Sequence, residues 1–133
     1  MELPEKKCEA IVAFSLDYLG RQWSEDFNCI AFVREIYKMV DIEIPPIHSH
    51  ILPPRDFNIT EENLNSWRAG YILFLKRQKY TGERIWTHVG ITLPEEKLIH
   101  CSEYFGRQVS ITPKKEIFSF YHYVPSRGIG VLL

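Results

Sequence analysis

The spacing of the apolar residues changes once along this 133-residue chain, and that change limits the fold more than any other feature. Up to about residue 44 they recur at helical intervals, whereas from Tyr71 onward they form short runs of the kind that pleated strands need. Between the two lies PPIHSHILPPRDFN, residues 45 to 58, with four prolines and no usable period. Such a segment predicts an ordered crossing loop able to wall a groove. Helices first and strands afterwards imply an α+β domain, with N-terminal helices packed on an antiparallel sheet of about five strands. At 45% hydrophobic and 14% aromatic residues the chain suits one domain with a single core over residues 1–133, and it shows no internal repeat.

Within the first part, Ala10, Ile11, Phe14, Leu16 and Leu19 make a helical stripe, and Gly20 lies where that helix would stop. The next stretch, FNCIAFVREIYKMVDIEIPP, places Cys29, Val33, Ile36 and Val40 on one helical face, with Arg34, Glu35, Lys38 and Asp41 away from it. Asn28 sits where an N-cap belongs, and Pro45 and Pro46 forbid continuation, so Cys29 falls in the first turn. A short helix is predicted to begin near Thr60. Strands are predicted over YILFLK (71–76), THVGITL (87–93), KLIHCS (97–102), QVSIT (108–112) and FYHYV (120–124). The Pro94-Glu95-Glu96 and Gly106 connections are short enough for antiparallel hairpins.

Several functions are disfavoured at once. Sixteen basic against seventeen acidic side chains leave a formal charge of -1, so no excess of positive charge is present to hold a nucleic acid. No window approaches the roughly 18 consecutive apolar residues of a membrane span. The acidic start, MELPEKKCEAIVAFSLDYLG, lacks the basic lead of an export signal, so the expectation is a soluble chain, cytoplasmic as made. Cys8, Cys29 and Cys101 form an odd set without a CxxC pair, which leaves at least one free thiol and argues against a disulfide framework or a zinc ribbon.

A thiol becomes a nucleophile as thiolate, and a helix N-terminus or an imidazolium lowers its pKa from about 8.5. Cys29 meets the first condition. THVGI and KLIHCS put His88 and His100 on successive strands, so that pairing across the intervening turn aims both rings to one face. His88 would then take the Cys29 proton, the sulfur would attack a carbonyl to form a thioester, and His100 would fix the His88 tautomer. The Cys29 N–H is the natural oxyanion donor, and Trp23 and Asn28 belong to the substrate and oxyanion side.

The blander readings are assigned to the other candidates. Cys8 and Cys101 read as small buried hydrophobes. His48 and His50 read as loop surface, and His122 as a strand residue among aromatics. Trp86 is expected to edge the cleft, while Lys79, Glu83 and Arg84 look like a solvated hairpin tip. No metal and no cofactor is expected, because neighbours such as His100 and Cys101 point to opposite strand faces and cannot easily share one ion.

The runs LGRQW, FNC, FVREIYK and IEIP, followed by AGYILF, THVGITL, KLIHCS and QVSIT, resemble in order and spacing the NlpC-type cysteine peptidases, over roughly Phe14 to Val124. That resemblance implies a papain-like fold and hydrolysis of cell-wall (murein) stem peptides, commonly after γ-D-glutamate, with Cys29, His88 and His100 as triad. The short length and the arginine of FVREIYK also resemble compact members from phage tails. Those imply a phage-tail or secretion-machinery partner that would deliver the chain to the cell envelope. Asn28 stands where the family has aspartate, Ile30 and Ala31 where it has serine and glycine, and Tyr71 where it has the aspartate of a Gly-Asp pair. Ser24-Glu25-Asp26 shortens the family's glycine-rich stretch. Another thiol amidase or acyltransferase on the same scaffold, and a catalytically silent phage-tail or assembly module, are the alternative readings.

Overall fold

The computed structural model describes residues 3–54, 56, 58, 59 and 64–125, so the helix expected near Thr60 lies outside the described residues. Two helices lead, α1 (Glu5–Leu16) and α2 (Cys29–Lys38). Strands β1 (Ile72–Arg77), β2 (His88–Leu93), β3 (Lys97–Ser102) and β4 (Gln108–Pro113) follow, then α3 (Lys114–Phe120) and β5 (Tyr121–Tyr123). The strands make one antiparallel sheet in the order β4-β3-β2-β1-β5. The α+β architecture read from the sequence is therefore the observed one.

Helix α2 sits on β2 and β3 at the centre of the sheet, and α1 packs on α2 and β2. The apolar stripe of α2 explains its place: Phe32, Val33, Ile36 and Tyr37 are fully buried, and the Tyr37 hydroxyl donates to the Gly70 carbonyl at 2.6 Å. At its start the Asn28 side chain accepts from the Ala31 N–H at 3.1 Å, the capping contact expected of that position.

Helix α1 ends at Leu16, earlier than the stripe suggests, and Leu16 and Leu19 are exposed. The chain instead leaves through turns to Gly20, whose φ of +89° suits glycine. It then runs beside β4: Gly20 N–H donates to Val109 O at 3.0 Å, and Trp23 N–H to Arg107 O at 2.8 Å. This docking fixes the approach to Cys29.

Strands β2 and β3 are buried along nearly their whole length, as central strands covered on both faces must be. At Gly90 an added Cβ would lie 2.9 Å from the Leu98 side chain, so close packing beneath the site requires glycine there. Four expectations need correction. Residues 114–120 form α3, which the sequence reading left unassigned. His122 is exposed rather than packed among aromatics, because β5 turns Tyr121 inward and His122 outward. Trp86 is 4% exposed and stacks edge-on against Phe74, ring centroids 5.1 Å apart, so it belongs to the core and not to a cleft edge. The proline-rich loop straps the β1–β2 connection, with Ser49 O accepting from Ile85 N–H at 2.7 Å, and its described residues do not line the cleft.

Candidate active site

A cleft of about 370 Å³ opens where the start of α2 meets the sheet. Trp23, Asn28 and Cys29 form one wall, Thr87 and His88 the base of another, and Tyr104 and Tyr121 close a third side. Trp23, Asn28, Cys29 and His88, the residues singled out from the sequence, line this one concavity. His100 stands behind His88, fully buried.

The register explains the meeting of the two histidines. His88 and Thr92 share a face of β2, His100 and Leu98 share a face of β3, and Thr92 pairs with Leu98. Both imidazoles therefore project to one side. His88 Nε2 and His100 Nδ1 lie 2.7 Å apart, and His100 Nε2 lies 2.9 Å from the Thr112 hydroxyl on β4. A hydrogen-bonded line thus runs across three strands, leaving Nδ1 as the other ring nitrogen of His88. Tyr121 stacks on the His88 ring with centroids 5.0 Å apart and planes inclined by 14°, which holds the imidazole from its face.

Burial sets the charge state. It holds the His88 pKa well below the usual histidine value, with the His100 ring adding to the effect, and it lowers His100 to about 4. Both rings are neutral at pH 7. The Cys29 thiol is raised to about 11, again by burial, against the pull of the N–H groups of Val89, Ile30 and Cys29 itself and of the Arg84 charge. This differs from the expectation of a thiol whose pKa is lowered at the helix start and by a neighbouring imidazole. Although Cys29 as a residue is only half-buried, its sulfur is packed against β2. Among the described residues no hydrogen bond joins it to His88, and burial favours the neutral form of both the thiol and the imidazole.

The remaining candidates stay apart from the cleft or are inert. Cys8 lies elsewhere, near the start of α1. Cys101 touches the cleft, but its thiol donates to Phe27 O at 3.5 Å and is raised to about 11 by burial. His48 uses Nδ1 to accept from the His50 N–H at 3.1 Å. Among the described residues no group of three or more His, Cys, Asp or Glu side chains is placed to hold a metal ion. No described helix is long and apolar enough to cross a membrane.

The sequence profile of the NlpC/P60 family matches residues 17–127 of this chain. The chain belongs to the NlpC/P60 family. Solved structures agree on the fold. The NlpC/p60 domain of peptidoglycan hydrolase SagA is 22% identical with a TM-score of 0.64, over 90% of this chain and 98% of that one. NlpC1 from Trichomonas vaginalis is 15% identical with a TM-score of 0.69, over 95% of this chain and 45% of that one. An NLP/P60-family protein similar to lipoprotein, from Staphylococcus aureus, is 17% identical with a TM-score of 0.61, over 96% of this chain and 44% of that one. No curated protein matches. The architecture is accordingly the α+β, papain-like one of NlpC/P60 domains.

Sequence reasoning missed part of this NlpC/P60 cleft. Arg77, Tyr80 and Arg84, from the end of β1 and the connection after it, line the opening; Lys79, Glu83 and Arg84 are exposed as expected of a solvated tip, and Arg84 alone of the three also lines the cleft. Tyr121 was missed as well. The alternation of FYHYV marks Tyr121 as inward-facing, but only the docking of β5 beside β1 says what it faces.

Proposed function

We propose that this NlpC/P60 chain is a cysteine-type amide hydrolase acting on cell-wall stem peptides, with Cys29 as nucleophile, His88 as base and His100 as the group that orients it. The observation carrying the reading is a cysteine at a capped helix start sharing one cleft with His88, which is buried and hydrogen-bonded to His100 behind it. The similarity to the SagA domain, which belongs to a peptidoglycan hydrolase, supports the substrate class.

With both rings neutral, each carries one proton. If His100 Nε2–H donates to Thr112, His100 Nδ1 accepts from His88 Nε2–H, and His88 Nδ1 is left bare to receive the Cys29 proton. The reverse chain would leave a proton on Nδ1 and no base, so the Thr112 hydroxyl serves as acceptor in the competent tautomer. Proton transfer from so weakly acidic a thiol accompanies attack on the carbonyl rather than preceding it. The carbonyl oxygen, turning negative, is received by the Cys29 N–H at the positive end of α2. The amine leaves with the proton from His88, and water hydrolyses the thioester. Delivery to the envelope by a phage tail or other apparatus is part of the same proposal.

Incubation with purified muropeptides is expected to release new fragments, and Cys29→Ala to abolish their release with the fold intact by circular dichroism. Fragments that persist in the alanine variant would defeat the reading.

A further inference from the structure

The cleft holds a second thiol that takes no part in amide cleavage. Cys29 opens α2 and Cys101 lies near the end of β3, yet both line the same concavity. Sheet geometry brings them together. Ile91 and Ile99 face each other across β2 and β3, so Val89 and Cys101, each two residues along its strand, project to that same face. The Cys29 sulfur takes the Val89 N–H, while the Cys101 thiol donates at 3.5 Å to the carbonyl of Phe27, two residues before Cys29. Each sulfur is thus held by the backbone next to the other. A charge on Cys29 is felt at Cys101, adding to the burial that pushes its thiol up to about 11.

The two thiols differ in access. Cys29 is half-buried and opens to the cleft, whereas Cys101 is 0% exposed. A small oxidant entering the cleft therefore meets Cys29 first. Cys101 is fixed within the sheet, but Cys29 sits in the first turn of a helix, where local opening costs least, so Cys29 is the partner that moves to close the remaining distance. Cys8 lies outside this pair, in a separate hollow beside Arg68 and Tyr71.

We propose that Cys101 is a resolving thiol: once a hydroperoxide has oxidised Cys29, Cys101 closes on it as a reversible disulfide that takes Cys29 out of use. The Cys29 thiolate attacks the terminal oxygen of ROOH, an S–O bond forms, the O–O bond breaks, and ROH leaves with the proton that the thiol gave up. The Cys101 sulfur then attacks the Cys29 sulfur, the S–S bond forms as the S–O bond breaks, and the oxygen departs as water with the Cys101 proton. Two thiols lose two electrons, and one peroxide gains them. The consequence for hydrolysis rests on the amide-hydrolase reading, but the thiol pair does not.

Peroxide treatment tests the pair without any substrate. Hydrogen peroxide is added to the reduced protein at about pH 9, where more of each thiol is ionised, with or without dimedone to capture sulfenic acid. Free thiols are then blocked and the peptides mapped by mass spectrometry. The parent is expected to yield a Cys29–Cys101 linked peptide that dithiothreitol separates. In Cys101→Ala, dimedone capture at Cys29 should rise on the order of tenfold, because a neighbouring group acts at a high effective concentration. Without dimedone, that variant should pass to sulfinic acid, which dithiothreitol does not restore. Cys101→Ser, which keeps a donor for the Phe27 carbonyl, should behave alike, and if neither variant folds, the linked peptide of the parent decides alone. Cys29 oxidised to sulfenic or sulfinic acid beside a free Cys101 in the parent overturns the proposal, as does a Cys29 that stays a free thiol throughout or links elsewhere. With muropeptides, fragment release by the parent should fall in step with the linkage and return with dithiothreitol. Linkage in a protein that cleaves no muropeptide upholds the pair and defeats only the hydrolase reading.

Discussion

At Cys29 two effects oppose each other, and their sizes decide the outcome. A helix N-terminus stabilises a negative charge by about 0.3–1 kcal/mol, less than one pKa unit, whereas desolvation of a buried acid can cost about 3–5 units. Burial wins, and the thiol stands near 11. Because the shift is upward, the thiolate is scarce at neutral pH and becomes abundant only near the folded pKa. Alkylation of Cys29 by iodoacetamide in the unliganded protein is therefore expected to keep climbing with pH beyond about 9, toward a midpoint near 11. A plateau reached by about pH 8 would mean that the sulfur is solvated or paired with an imidazolium. The residue types of this site were legible in the sequence, since a capped cysteine and two strand histidines are local patterns. Their charge states were not, because desolvation comes from the α2, β2 and β3 packing that no local window contains.

Among the elements, α2 carries Cys29, and its first turn depends on one side chain. Removing the Asn28 cap leaves the Ala31 N–H without its partner, so Asn28→Ala is expected to cost about 1 kcal/mol in urea unfolding. Asn28→Asp, which keeps the acceptor, should cost less, and equal losses in both variants would show that the cap is not what holds the turn. Helix α2 and strands β2 to β4 were readable because each has a strong period and a marked end: Asn28 and the prolines for the helix, Pro94-Glu95-Glu96 and Gly106 for the strands. Helix α3 was not. It is seven residues long with Ile117 as its buried residue, too short to display a period, and Pro113 at its N-cap resembles the end of a strand. The cleft position of Arg84 was not readable for a different reason. The charged residues from 79 to 84 do look solvated, and only the return of β2 beside β1 turns Arg84 toward the cleft.

For the molecule as a whole, the histidine line joins the sheet to the cleft and couples stability to pH. An unfolded chain titrates His100 near 6.5, whereas the folded sheet holds it at about 4, so between those values the unfolded state binds more protons. The folded state therefore has its full stability above about pH 6.5 and loses it as the pH falls toward 4. At about 1.4 kcal/mol per pKa unit, His100 alone accounts for a loss on the order of 3 kcal/mol. His88 is shifted in the same direction, which deepens the loss. Urea unfolding at about pH 7.5, 6 and 4.5 should show this fall, and His100→Gln, which can still hydrogen-bond to Thr112, should flatten it even if the variant is less stable throughout. It is the slope that carries the argument. A glutamine variant with the same pH dependence as the parent would mean that the His100 ring already exchanges protons with water in the folded state. The tautomer chain that leaves His88 Nδ1 free for Cys29 would then lose its anchor.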